Sequence, residues 1–338
     1  ASSATRPRDL GVHVLKPSSL FPGANGILEV DSCVTKSSND LHNLGGFLEE
    51  QGDLQGAEKF YRKVLLGKPA DRTTTEEENV ELLVSMNRLA HVLHAQGRKD
   101  EAELRYREAV AFAVQHMGDD HLDTWAVMVN LGHLLTDRGE LEEAEMLYRR
   151  ALAGFQDELD GDHVNAATTV HHLAILLEAK GQNKEAEELY TKASLMFEAN
   201  YGSKHLKTLT SMVNLACLRE SMGKARQAVK ICRYVSVTLQ KTLGVNHPYT
   251  LQSLSNLASV LEAVGFLVES EKAYRQVVAG LEGLVGPDHV DTLMSTYNLG
   301  CVLHAQNKLD EAEPLYRRVL QGLEQSVGRQ HQDTLGTV

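Results

Sequence analysis

Apolar and small residues recur along this chain in a fixed two-part pattern. A leucine followed by glycine or alanine occurs at Leu44-Gly45, Leu89-Ala90, Leu131-Gly132, Leu173-Ala174, Leu215-Ala216, Leu257-Ala258 and Leu299-Gly300, at intervals of 42 residues after a first interval of 45. Each pair is followed by a small residue, Ala57, Ala102, Ala144, Ala186, Ala228, Ser270 or Ala312, and four positions later by Tyr61, Tyr106, Tyr148, Tyr190, Cys232, Tyr274 or Tyr316. Small residues at these points let two antiparallel helices approach closely, and the tyrosine is expected to fill the space toward the next repeat. Gly52, Gly97, Gly139, Gly181, Gly223 and Gly265 separate the two parts, with Asn307 in the next copy. Glycine exchanged for asparagine marks a backbone that turns left-handed after a helix, because these residues best tolerate positive φ. Each unit is therefore predicted to be a helical hairpin. A period of this length over most of a chain predicts a stacked-repeat solenoid, in which every hairpin buries its apolar face on its neighbours.

The junction between units keeps the same period. His121, His163, His205, His247, His289 and His331 recur every 42 residues, within G-x-x-H-x-x-T segments such as Gly118 to Thr124 and Gly244 to Thr250. The Leu-Gly/Ala pair, the turn glycine and Ala-x-x-x-Tyr resemble the tetratricopeptide repeat, usually ~34 residues long. The longer form with this junction is similar to the repeats of kinesin light chains and nephrocystin-like proteins. The resemblance implies an all-α, right-handed superhelical solenoid over residues 39 to 338, with seven repeats and the start of an eighth. Residues 1 to 38, rich in Ser, Gly and Pro without sustained helical period, read as a linker or poorly ordered segment.

Candidate chemistry is sparse. The sequence has no G-x-S-x-G, G-x-x-x-x-G-K-[ST], H-E-x-x-H or G-x-G-x-x-G, so neither an enzyme nor a cofactor site is expected. The periodic histidines cannot share a metal, since every zinc ligand must lie ~2.0 to 2.1 Å from one ion. Each is expected to bond a carbonyl ending the preceding helix, with Asp123, Asn165, Asp291 or Asp333 capping the next one. His42, His91, His94, His133, His171, His172 and His304 are placed on the inner face of the first helices. His91 and His94 stand one turn apart there, but no third ligand is evident from the sequence, and no metal site is assigned.

A stronger signal is the residue before each repeat leucine: Asn43, Arg88, Asn130, His172, Asn214, Asn256 and Asn298. The resemblance to kinesin light chains implies that this row lines a groove and bonds the backbone of an extended peptide. An amide carries both donor and acceptor, so such a row satisfies a main chain without reading its side chains. Inner-face acids near the turn, among them Glu178, Glu220 and Glu262, disfavour acidic ligands, and a neutral to basic segment is expected. Kinesin light chains differ here, using basic groove residues for acidic motifs.

Charge and cysteine content bound the setting. A net charge of −12 disfavours nucleic acid and anionic membrane surfaces as partners. No stretch approaches the ~20 apolar residues that cross a bilayer. Cys33, Cys217, Cys232 and Cys301 form no C-x-x-C pair and read as reduced thiols of a soluble, cytoplasmic protein. The glutamates at the start of each second helix, such as Glu142, Glu143, Glu145, Glu185, Glu187 and Glu188, read as helix-dipole partners that need no ligand. The sequence thus points to an interaction scaffold or adaptor. The alternative is the recognition arm of a larger enzyme or signalling protein, suggested by the stop at Val338 inside a first helix.

Overall fold

The computed structural model describes residues 44–49, 51–66, 75–158 and 164–326, and among these every regular element is helical. Residues 44–49 are followed by α1 (Leu54–Leu66), α2 (Glu76–Ala95), α3 (Lys99–His116), α4 (Leu122–Arg138), α5 (Leu141–Glu158), α6 (Val164–Ala179) and α7 (Asn183–Tyr201). Then come α8 (Leu206–Ser221), α9 (Ala225–Leu243), α10 (Pro248–Ala263), α11 (Leu267–Leu284), α12 (Val290–Ala305) and α13 (Leu309–Ser326). The described residues before Tyr201 form one compact unit, and those from Tyr201 onward form a second. In each, helices adjacent in sequence pack as hairpins, and first helices of successive repeats also touch: α2 with α4 and α4 with α6 in one unit, α8 with α10 in the other. Residues 1 to 38, with Cys33, Asn43, His163, His331 and Asp333, lie outside the described set.

The boundaries follow from local chemistry. All six turn glycines have positive φ, from +74° at Gly181 to +85° at Gly265, and Asn307 adopts φ 62° in the equivalent slot. The junction departs from expectation in its donors. His121, His205, His247 and His289 are themselves the N-caps: their Nδ1 atoms accept the N–H of Asp123, Lys207, Tyr249 and Asp291 at 3.2–3.3 Å. The carbonyl of the junction glycine is instead held by the threonine of the motif, Thr124 on Gly118, Thr208 on Gly202 and Thr292 on Gly286, at 2.8–3.0 Å. The imidazole reaches a backbone N–H two residues on, whereas the threonine on the first helical turn faces back to the loop. At the second repeat, Thr75 and Glu78 close a full capping box.

Within a hairpin the small residue and the tyrosine are matched. A Cβ built on Gly45, Gly132 or Gly300 would lie 2.5–2.9 Å from the ring or hydroxyl of Tyr61, Tyr148 or Tyr316. The tyrosine therefore packs first against its own hairpin. At the other end of the hairpin a second close approach recurs, where Gly154, Gly280 and Gly322 admit Trp125, Leu251 and Leu293. In the second unit these contacts organise the core as alternating layers: Leu251, Leu254, Val277 and Leu281 inside one hairpin, then Ala258, Tyr274, Leu299 and Val302 between that hairpin and the next. Cys232, in the tyrosine slot, is fully buried between Ala216, Ala228 and Leu257.

Candidate functional site

The first helices carry the sequence-predicted row, and each unit presents its own part of it. In the first unit Arg88, Asn130 and His172 come from α2, α4 and α6. Arg88 is engaged, its Nη1 3.8 Å from Glu49 Oε2. Asn130 is buried and donates its amide to Asn87 Oδ1 at 3.0 Å, a partner on the preceding first helix that the 42-residue pattern did not reveal. His172 is buried, with its ring centroid 4.9 Å from that of His133 and 5.9 Å from that of Tyr148.

Acids at the ends of the first helices are held from both sides. Tyr61 donates to Glu49 Oε1 at 2.6 Å, and His91 Nδ1 lies 3.3 Å from Oε2. Burial pushes the Glu49 carboxyl up, but the His91 and Tyr61 hydrogen bonds with the Arg88 charge outweigh it and hold Glu49 below the usual carboxylate range. Tyr190 likewise donates to Glu178 at 2.8 Å. His91 and His94, one turn apart on α2, share no partner. His91 turns to Glu49 of the previous repeat, while His94 Nε2 lies 3.0 Å from Asp137 Oδ2 of the next. Burial opposes ionisation of Asp137, yet His94, His133 and Lys99 together keep its carboxyl low. Burial also pushes His133 down to about 4, with Asp137 pulling the other way.

In the second unit Asn214, Asn256 and Asn298 come from α8, α10 and α12. Asn214 is half-buried and Asn298 buried. Asn256 is 1 % exposed, and neither its amide nitrogen nor its oxygen has a hydrogen-bond partner among the described residues. It borders a cavity of about 20 Å³ lined with Leu209, Val213, Leu239, Tyr249 and Gln252, the volume of roughly one water molecule. Ser259 donates to Glu220 Oε1 at 3.3 Å. Burial raises the Glu220 carboxyl despite that bond. Glu262 is half-buried one repeat further on.

The glutamates of the second helices sit at the helix starts as expected, Glu142 and Glu143 in the first turn of α5 and Glu185 in that of α7, and several also form ion pairs. Arg149 bonds both Glu145 and Glu185, and Lys180 reaches Glu145 at 2.7 Å. Trp125 is buried and meets Phe155 edge to face at 5.4 Å, a packing role. Among the described residues, no helix is long and apolar enough to cross a membrane.

Paired helices with one left-handed turn residue per pair define a helical-hairpin repeat protein. Sequence models of the tetratricopeptide repeat match residues 123–199, 167–231 and 249–325, and a second set matches 41–67 and 82–123. The chain belongs to the tetratricopeptide repeat family. A Podosopora anserina protein of the kinesin light chain kind, with nearly identical TPR-like repeats, is 26 % identical, with a TM-score of 0.56 over 61 % of this chain and 98 % of that one. BtubC (BKLC) from P. vanneervenii is 22 % identical, with a TM-score of 0.60 over 69 % of this chain and 93 % of that one. The apo form of RapI is 12 % identical, with a TM-score of 0.67 over 86 % and 77 %. No curated protein matches the chain.

Proposed function

We propose that this protein is an interaction scaffold that holds an extended segment of a partner protein along the first-helix row. Tetratricopeptide repeats generally mediate protein–protein contacts, and the finer reading concerns where and how. The observation that carries it is the placement of Asn214, Asn256 and Asn298 at the same position of successive first helices within one unit. An amide side chain carries both a donor and an acceptor. A peptide backbone offers the complementary acceptor and donor at every residue. Asn43, which lies outside the described residues, extends the row by position alone.

Glu178, Glu220 and Glu262 favour a neutral to basic segment over an acidic one. Cys217, Cys232 and Cys301 form no disulfide with one another, which supports a reducing, cytoplasmic setting. The test is a fluorescence-anisotropy titration of a peptide array against the wild type, Asn214→Ala, Asn256→Ala and the charge-reversed Glu220→Lys/Glu262→Lys. Each asparagine change is expected to weaken binding by about 1 kcal/mol for any peptide sequence. The charge reversal is expected to improve acidic ligands, with a difference that salt shrinks. Asparagine variants that bind like wild type, or a wild type that prefers acidic aromatic peptides, overturn the reading.

A further inference from the structure

We propose that His94, His133 and Asp137 form a binding site for a zinc-type divalent metal ion at the junction of the second and third repeats. The three residues come from two helices. His133 and Asp137 stand four apart on α4 and so share one face, while His94 projects from the last turn of α2 onto the same spot. One ligand-capable atom from each lies within 4.8 Å of the other two, and His94 Nε2 is already 3.0 Å from Asp137 Oδ2. Ligands of a tetrahedral ion at ~2.0–2.1 Å are roughly 3.3 Å apart. The longest separation must therefore close by about 1.5 Å, within reach of side-chain rotation alone.

The donor set selects the ion. Two imidazole nitrogens and one carboxylate suit zinc and its neighbours cobalt, nickel and copper, whereas magnesium and calcium require mostly oxygen. Three protein ligands leave a fourth position open. Solvent reaches the site on its Asp137 side, where the side chain is 43 % exposed, whereas His94 is 11 % exposed. Neighbouring groups fix the ligands in place. Lys99 Nζ donates to the Asp137 carbonyl at 2.9 Å and anchors the end of α4. The His133 ring packs at a tilt against those of His172, at 4.9 Å, and His94, at 5.5 Å. When an ion binds, the His94–Asp137 hydrogen bond is given up. The imidazole turns its lone pair to the metal, and its remaining proton resides on Nδ1.

Neither residue of the helical step His91–His94 finds this set within its own helix, because the other two ligands belong to the next repeat. The site adjoins the proposed peptide row, since His172 touches His133, and it is tested without a peptide. Full-length protein free of any affinity tag is titrated with Co²⁺ by visible absorption and with Zn²⁺ by calorimetry. The variants are His94→Gln, Asp137→Asn and the control His91→Gln, which lies on the same face outside the site. We expect one ion per chain with the intense visible bands of four-coordinate cobalt. Affinity should fall at least about 100-fold in His94→Gln and Asp137→Asn and be kept in His91→Gln. Circular dichroism confirms that each variant folds. No binding by the wild type, or equal binding by all variants, overturns the proposal; the latter assigns the ion to dispersed surface histidines.

Discussion

Arg107 on α3 grips Glu143 on α5 with both ends of its guanidinium, Nη1 to Oε1 at 2.6 Å and Nη2 to Oε2 at 3.0 Å. The same 36-residue step joins Arg149 to Glu185, Arg233 to Glu269 and Arg275 to Glu311. Second helices of neighbouring repeats are thus laced together by charge along their exposed side. These pairs are solvent-accessible, so each is worth little alone. A double-mutant cycle with Arg107→Ala and Glu143→Ala is expected to give a coupling of about 0.2–1 kcal/mol in urea unfolding, falling as salt is raised. A coupling unchanged by molar salt would show that the contact is not electrostatic.

The turn residues separate backbone strain from packing. A Cβ at Gly139 meets nothing within 4 Å, but the residue sits at φ +83°. Gly139→Val should therefore destabilise by about 1 kcal/mol or more through the backbone alone. Asn307→Gly, at φ 62°, should be close to neutral. Gly132→Val tests the other mechanism, since its Cβ falls 2.9 Å from the Tyr148 ring. Equal melting temperatures for Gly139→Val and wild type would contradict the assigned turn.

Acid should loosen the second unit through Glu271. Its carboxylate accepts from Lys308 at 2.7 Å, Gln306 at 2.9 Å and Arg275 at 3.0 Å. The Lys308 bond above all holds it down to about 2, against burial, from an ordinary value of 4.5. A carboxyl depressed by folding stabilises above its unfolded value, and that stability disappears as pH falls from about 4.5 toward 2. Lys308 and Arg275 are themselves well exposed, which cuts the contribution to about 1 kcal/mol at neutral pH. Urea midpoints of Glu271→Gln and wild type should differ at pH 7 and converge near pH 2. A constant gap across that range would contradict the linkage.

His205 supplies a cap that works only when its Nδ1 is unprotonated. Burial, then the nearby Lys207 charge, lowers its pKa below the usual 6.5, and its ring stacks on Tyr201 at 4.3 Å. For a base depressed in the folded state, the stabilisation is complete above 6.5 and declines as pH drops through the folded value. His205→Ala should cost about 1 kcal/mol at pH 7.5 and less at pH 5. His205→Asn, which can also cap, should keep most of the stability at both. Equal losses for Ala and Asn would remove the capping role.

Much of this structure was legible from spacing because a repeat prints its own constraints many times. Seven copies of Leu-Gly/Ala and the turn glycine exposed the hairpin, and the Gly-to-Asn exchange at 307 exposed the sign of φ. What spacing could not show was which atoms meet between copies. Asn87–Asn130 and His94–Asp137 join positions 43 apart, off the register that the eye follows. His205 and Thr208 share a junction, and only geometry tells which one faces the helix N-terminus and which faces back to the glycine. Glu145 stands near the start of its helix as the spacing indicated, but spacing did not show that Arg149 and Lys180 reach it from an adjacent turn and an adjacent repeat.

The hydrogen bonds between repeats obey one rule of neighbourhood: Arg233 to Glu269 and Arg275 to Glu311, Gln306 to Leu267 and Gln96 to Leu54, each span about one period and never two. Excising Gly244 through Val285 would join Leu243 to Gly286 and bring Glu311 to Arg233 in place of Glu269, although Lys308 would meet Val229 where Glu271 had stood. Length changes in whole periods keep the small residue and the tyrosine in register, while a deletion that is not a whole number of periods moves one away from the other. Reading-frame preservation alone, which any multiple of three bases satisfies, is a far weaker filter than this spatial one.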